Sequence, residues 1–111
     1  MELINWNDFE KVELRVGKVI SAEVFKEARV PAYLLQVDFG DEIGIKKSSA
    51  QITTLYSKES LLNRKVLAVI NFKVKQIANF KSECLVLGLQ NDKDVVLLHA
   101  TDTVLNGTQV L

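Results

Sequence analysis

The chain has 111 residues, 48% hydrophobic and 25% charged, with 14 Lys and Arg against 14 Asp and Glu. That length holds one domain, residues 1–111, with a core of its own, and the neutral balance gives no compositional sign of disorder. The longest charge-free run, Ser48–Ser57, is largely polar, so no stretch reads as a membrane-spanning helix and membrane insertion is not expected.

Asn7 can cap a short helical turn over Asp8–Lys11, with Trp6 and Phe9 as apolar anchors. From Val12 the pattern switches to period two. Val12, Leu14 and Val16 alternate with Glu13, Arg15 and Gly17, and Ile20, Ala22 and Val24 resume after a fault at Gly17-Lys18. A glycine beside such a fault predicts a bulge or bend in one long strand. Lys26–Pro31 breaks the pattern and reads as a loop. Tyr33, Leu35, Val37 and Phe39 share one face of a second strand. Gly40-Asp41 is a turn signal, and Ile43-Gly44-Ile45 begins the return strand.

Residues Ser49–Asn63 lose the two-residue period. Ile52, Leu55 and Tyr56 form a helical stripe, and Ser57 can cap a second turn through Leu61 and Leu62. Val66–Ile70 is apolar on both faces and predicts a buried strand. Lys73–Phe80 reads as a basic loop, Cys84–Leu89 as another apolar strand, and Val95–Leu98 as a further short one. Asn106-Gly107 marks a last turn. Strand, strand, strand, helix, strand, strand is the order of an OB-fold. The expected class is therefore all-β with short helices, built as a five-stranded Greek-key barrel.

Neutrality hides an asymmetry. From Gly44 to Ser82 there are eight basic residues against Glu59 alone, a net +7; the remaining six basic and thirteen acidic residues give −7. Such local polarity steers anionic partners. Cys84 is the one cysteine, which excludes an internal disulfide and suits a reducing compartment. The opening MELINWNDFE has neither a basic nor an apolar leader segment, so a cytoplasmic location is expected.

Several stretches resemble a known family. Asp8-Phe9-Glu10-Lys11 followed by Leu14–Ile20 is similar to the opening of the tRNA-binding domain family, OB-folds that are appended to some aminoacyl-tRNA synthetases or stand alone. Asn71-Phe72 and Phe80-Lys81-Ser82-Glu83 resemble its second signature. The likeness is greater to a free-standing branch, the CsaA-type secretion chaperones. It is carried by Glu27–Ala32, Asp38-Phe39-Gly40, Ile43–Lys46 leading into Ser48–Thr53, and Asn106-Gly107-Thr108. Where the synthetase-appended branch usually has Gly-Met after Ser-Glu, this chain has Cys84-Leu85, and Ala28–Ala32 replaces a His-Pro-containing stretch. The resemblance implies a homodimeric, cytosolic, export-related chaperone binding unfolded or precursor polypeptides. The translocation machinery is a further partner, and tRNA is the alternative ligand.

The candidate ligand-binding residues fall in three groups. Arg15, on the polar face of the first strand, can grip phosphate or a carboxylate, or pair with Glu13 or Glu83. Lys46, Lys47, Ser48 and Ser49, expected after the third strand, can hold phosphates, or the serines can cap the next helix. Asn71, Phe72, Lys73, Lys75, Gln76, Asn79, Phe80 and Lys81 interleave amide, ring and ammonium groups, as single-stranded nucleic-acid sites do; the same groups can hold a polypeptide. At least one of Phe72 and Phe80 is expected in the core. Ser82 matches the family signature, and Glu83 can orient Arg15 or a ligand amide, or serve in a plain ion pair.

Cys84 is expected to be a buried, inert thiol, and with His99 it makes no metal-ligand spacing. No phosphate loop, dinucleotide turn or nucleophile elbow is present, so neither a cofactor nor an enzymatic activity is expected. Trp6, Phe9, Val104, Leu105, Val110 and Leu111 lie outside the barrel pattern and are the expected dimer interface.

Overall fold

The computed structural model describes all 111 residues, Met1 to Leu111. The elements run α1 (Trp6–Glu10), β1 (Leu14–Val24), β2 (Tyr33–Asp38), β3 (Ile45–Ala50), α2 (Lys58–Leu61), β4 (Lys65–Val69), β5 (Lys75–Ile77), β6 (Phe80–Ser82), β7 (Leu85–Val86), β8 (Gly88–Asn91) and β9 (Asp94–Leu97). Five strands make one antiparallel sheet in the order β3-β2-β1-β4-β7, while β5–β6 and β8–β9 are separate hairpins. The sheet curls until its two ends approach. Glu83 N–H donates to the Lys47 carbonyl at 2.7 Å, and the Glu83 carboxylate accepts from Lys47 N–H at 2.9 Å. This is the nearly closed OB barrel expected from the element order.

β1 is long because it serves two neighbours. Leu14–Lys18 pairs with β4, and Lys18–Val24 pairs with β2. The bulge lies between Val19 and Ser21, not at Gly17-Lys18. It turns Val19 fully into the core and leaves Ile20 and Val24 exposed. The displaced Val19 N–H and carbonyl are taken up by the Arg64 carbonyl at 3.0 Å and Asn63 N–H at 2.8 Å. Gly17 answers a different need: a Cβ there would come within 2.5 Å of Val37 and 2.7 Å of Phe39.

Other expectations shift locally. α1 starts at Trp6, two residues earlier than the Asn7 cap predicts. The Asp8 carboxylate accepts from Asn5 N–H at 3.0 Å, the reciprocal half of a capping box that needs Asn5 at the cap. Lys46, Lys47, Ser48 and Ser49 lie within β3 rather than after it. The stripe Ile52–Tyr56 is not a helix, since Thr53 and Thr54 are poor helix formers. Ile52 is buried, and the Tyr56 hydroxyl accepts from Leu97 N–H at 3.0 Å. The helix that does form is α2, where the Ser57 hydroxyl accepts from Ser60 N–H at 3.0 Å and Leu61 enters the core. The basic loop is the hairpin β5–β6, turned through Ala78 at φ 52°. The fifth strand breaks after Val86, and its continuation Gly88–Asn91 pairs with β9 instead.

Val19, Leu35, Val37, Phe39, Leu61, Val66, Ala68 and Leu97 are the centre of the core. The tail adds a strap to β1 on the edge that β2 leaves free. Gly107 N–H donates to the Val16 carbonyl at 2.7 Å, Val16 N–H to Thr108 at 2.9 Å, and Val110 N–H to Leu14 at 2.9 Å.

Candidate functional site

Closure at Lys47 and Glu83 holds only one end of the seam between the terminal strands. Beyond it β3 diverges from β6 and β7 and leaves a groove of about 540 Å³. Ser49, Gln51 and Ile52 form one wall; Ser82, Cys84, Leu85 and Val86 form the other; Val95 and Leu97 close the floor. Phe72, Lys73, Lys75 and Ile77 stand over it, brought there by the β5–β6 hairpin and the segment before it. A second groove of about 410 Å³, lined by Phe25 and Glu27–Val30, shares Ser49, Gln51 and Ile77 with the first. The two grooves thus adjoin at the end of β3.

The floor is aliphatic and the rim is cationic. Only two ion pairs exist, Lys11 with Asp8 at 3.7 Å and Arg15 with Glu13 at 2.9 Å. Lys46, Lys47, Lys73, Lys75 and Lys81 therefore have no carboxylate partner. The Lys47 ammonium sits 5.6 Å from the centre of the Phe80 ring, and that ring packs on Phe25 at 5.6 Å. Neither phenylalanine joins the core: Phe72 is 58% exposed and Phe80 is half-buried.

Cys84 lines the groove but is buried, and burial pushes its thiol up from 9.0 to about 11, against the pull of the Lys46 ammonium. Its Sγ donates weakly to the Lys47 carbonyl at 3.8 Å. The thiol is thus protonated and a poor nucleophile at neutral pH. His99 is exposed and pairs through its backbone with Val66. No group of three or more His, Cys, Asp or Glu side chains is placed to hold a metal ion.

The predicted residues divide sharply. Phe72, Lys73, Lys75 and Ser82 line the groove, with Lys46, Lys47, Phe80 and Lys81 on the strands beside it. Four others are committed to the fold. Arg15 donates to Glu13 at 2.9 Å and to the Gly107 carbonyl at 3.0 Å, which anchors the strap. Asn71 accepts from Glu13 N–H at 3.0 Å and donates to the Lys11 carbonyl at 2.7 Å, which anchors the N-terminal segment. Ser48 is fully buried, and its hydroxyl donates to Ser49 at 3.3 Å. Glu83 completes the barrel seam rather than orienting Arg15. The aliphatic part of the lining, Ile52, Ile77, Leu85 and Val95, was not among the expected site residues. In the sequence Ile52, Leu85 and Val95 look like ordinary core positions, and Ile77 falls inside the basic loop.

Trp6, Leu105 and Leu111 are exposed, Phe9, Val104 and Val110 are half-buried, and the Trp6 and Phe9 rings lie 5.5 Å apart. Met1, Leu3 and Ile4 add further exposed apolar surface at the N-terminus. No helix is long and apolar enough to cross a membrane.

Residues 14–109 match the family model described as putative tRNA binding domain. The chain is 50% identical to the chaperone CsaA of Bacillus anthracis str. Ames, with a TM-score of 0.91, covering 99% of this chain and 100% of that one. It is 49% identical to the CsaA chaperone protein of Picrophilus torridus, with a TM-score of 0.92, covering 98% and 100% respectively. It is also 30% identical over 110 residues to the methionine–tRNA ligase of Thermococcus onnurineus, covering 99% of this chain and 15% of that enzyme. The chain thus spans only a small part of the ligases it matches. It belongs to the tRNA-binding domain family.

Proposed function

We propose that this member of the tRNA-binding domain family is a non-enzymatic cytoplasmic chaperone. It holds unfolded or precursor polypeptides in the seam groove and hands them to the export machinery. The observation that carries this reading is the aliphatic lining of the groove. Ile52, Ile77, Leu85, Val86 and Val95 offer apolar contact but no ring on which a base could stack, and Phe72 is the one aromatic lining the groove. Apolar side chains of an unfolded segment suit such a surface. The likeness to the two chaperones points the same way.

A second reading has its own support. Five lysines without carboxylate partners border the groove, and the family model carries a tRNA-binding description. Binding of tRNA and of an unfolded precursor, each measured at two salt concentrations, separates the readings. Phosphate contacts release counterions, so RNA affinity falls steeply with salt. Polypeptide held by apolar contact shows a shallow dependence, and that is the expected result. Steep dependence with tRNA, and no binding of the precursor, would make the RNA reading correct.

Trp6, Phe9, Val104, Leu105, Val110 and Leu111 serve as the homodimer interface, placing two grooves on one molecule. Removal of the tail is a poor test, because the tail also straps β1. Replacing Trp6 and Leu105 with Ser leaves the strap intact. Sedimentation should then show monomers.

A further inference from the structure

We propose that the groove receives its polypeptide as an added β-strand on the outer edge of β3, docked at Ser49. This rests on the polypeptide reading above and specifies its geometry. Lys47 directs both its N–H and its carbonyl away from β2, since both are bonded to Glu83. Along a strand those directions repeat every second residue, so the Ser49 amide and carbonyl point to the same side. There the closing segment has already moved away. Beyond the β2–β3 ladder no group accepts from Ser49 N–H, and the Ser49 carbonyl accepts only from the neighbouring Ser48 hydroxyl at 3.3 Å.

β3 and β7 are the two terminal strands of the sheet, and the groove lies between them. An open strand edge is a template for another extended chain. A polypeptide backbone offers the matching alternation of N–H and C=O; a sugar-phosphate backbone does not. Side chains on one face of the added strand drop onto Ile52, Leu85 and Val95. Lys73 and Lys75, without carboxylate partners, select acidic residues beside that apolar segment. The occupant is therefore an extended segment with apolar residues at alternate positions and an acidic flank. It runs on past Ser49 toward the second groove, which shares that residue.

The probe is a fluorescein-labelled octapeptide of alternating valine and serine with two glutamates at one end, followed by anisotropy on the full chain. Two further peptides carry N-methyl groups on alternate amides, one on each edge of the strand. Methylation of the edge facing β3 should weaken binding about tenfold or more, and methylation of the other edge about twofold or less. Ser49→Pro removes the edge donor at a position where an edge strand tolerates proline, and should weaken the parent peptide by roughly two- to tenfold. Equal effects of the two methylation patterns would overturn strand addition while leaving polypeptide binding standing. Failure of the wild type to bind the parent peptide would overturn both. Should Ser49→Pro fail to fold, the methylated pair still decides.

Discussion

Two seams run along this barrel, and the same kinds of residue do different things in them. At the strap seam, β1 meets the tail and the N-terminal segment. Arg15, Lys65 and Asn71 all end on groups brought from far along the chain: the Gly107 carbonyl, the Val104 carbonyl and the Lys11 carbonyl. At the groove seam, Lys46, Lys47, Lys73, Lys75 and Lys81 end on no carboxylate. A cation or amide bonded to backbone carbonyls has spent its donors on the fold, whereas a cation bordering an apolar trench keeps its charge available. Family-signature residues occur in both seams. The signature alone therefore does not separate positions that shape the barrel from positions left open at its surface.

The sharpest way to break this contrast is at Gly107. Its φ is 90°, and a Cβ would lie 2.4 Å from the Phe39 carbonyl oxygen. Gly107→Ala should lower stability by about 1–3 kcal/mol for the backbone strain, with the overlap on Phe39 adding to it. Thermal unfolding should show the loss, while ligand binding well below the melting temperature stays within a few-fold of wild type. A comparable fall in binding affinity would show that the two seams are coupled.

Cys84 gives the groove its own signature, in alkaline solution. The folded thiol titrates at about 11 against 9.0 for the free group. The unfolded chain therefore releases its proton first as pH rises. The contribution is fully present below pH 9 and is lost between 9 and 11, roughly 2–3 kcal/mol in all. Denaturant unfolding of wild type and Cys84→Ala across that range should show the wild type losing stability more steeply. Parallel curves would mean that the thiol is not desolvated there.

The smallest expected change in the fold, and the most specific to ligand, comes from replacing Lys73, Lys75 and Lys81 together with Gln. Stability should shift by less than about 0.5 kcal/mol, as for other surface changes. If tRNA binds through these groups, the salt slope should flatten by roughly 0.7 per lost single-strand phosphate contact, with affinity down about fiftyfold near 0.15 M salt. Polypeptide affinity should fall only modestly, in proportion to the acidic content of the segment. Unchanged binding of both ligands would make this rim a solvated surface.

The order of elements and most of the core were legible from periodicity. Val37, Phe39, Val66 and Ala68 announce their burial through alternation or unbroken apolar runs, and Ser57 announces the helix it caps, because these signals depend on neighbours within a few residues. The seams depend on residues much farther apart. Arg15 meets Gly107 and Asn71 meets Lys11 only after the barrel has curled, so their side chains were equally consistent with gripping a ligand. The bulge at Ile20 likewise reflects where β1 changes partner, which its own pattern does not specify. Local pattern was enough to specify an all-β barrel with a basic middle. Which cations stay free and where the sheet stays open follow only from how the barrel closes. Closure at Lys47 and Glu83 satisfies one stretch of strand edge and leaves the next unpaired, and that is set by how far the terminal strands diverge rather than by any residue's own preference.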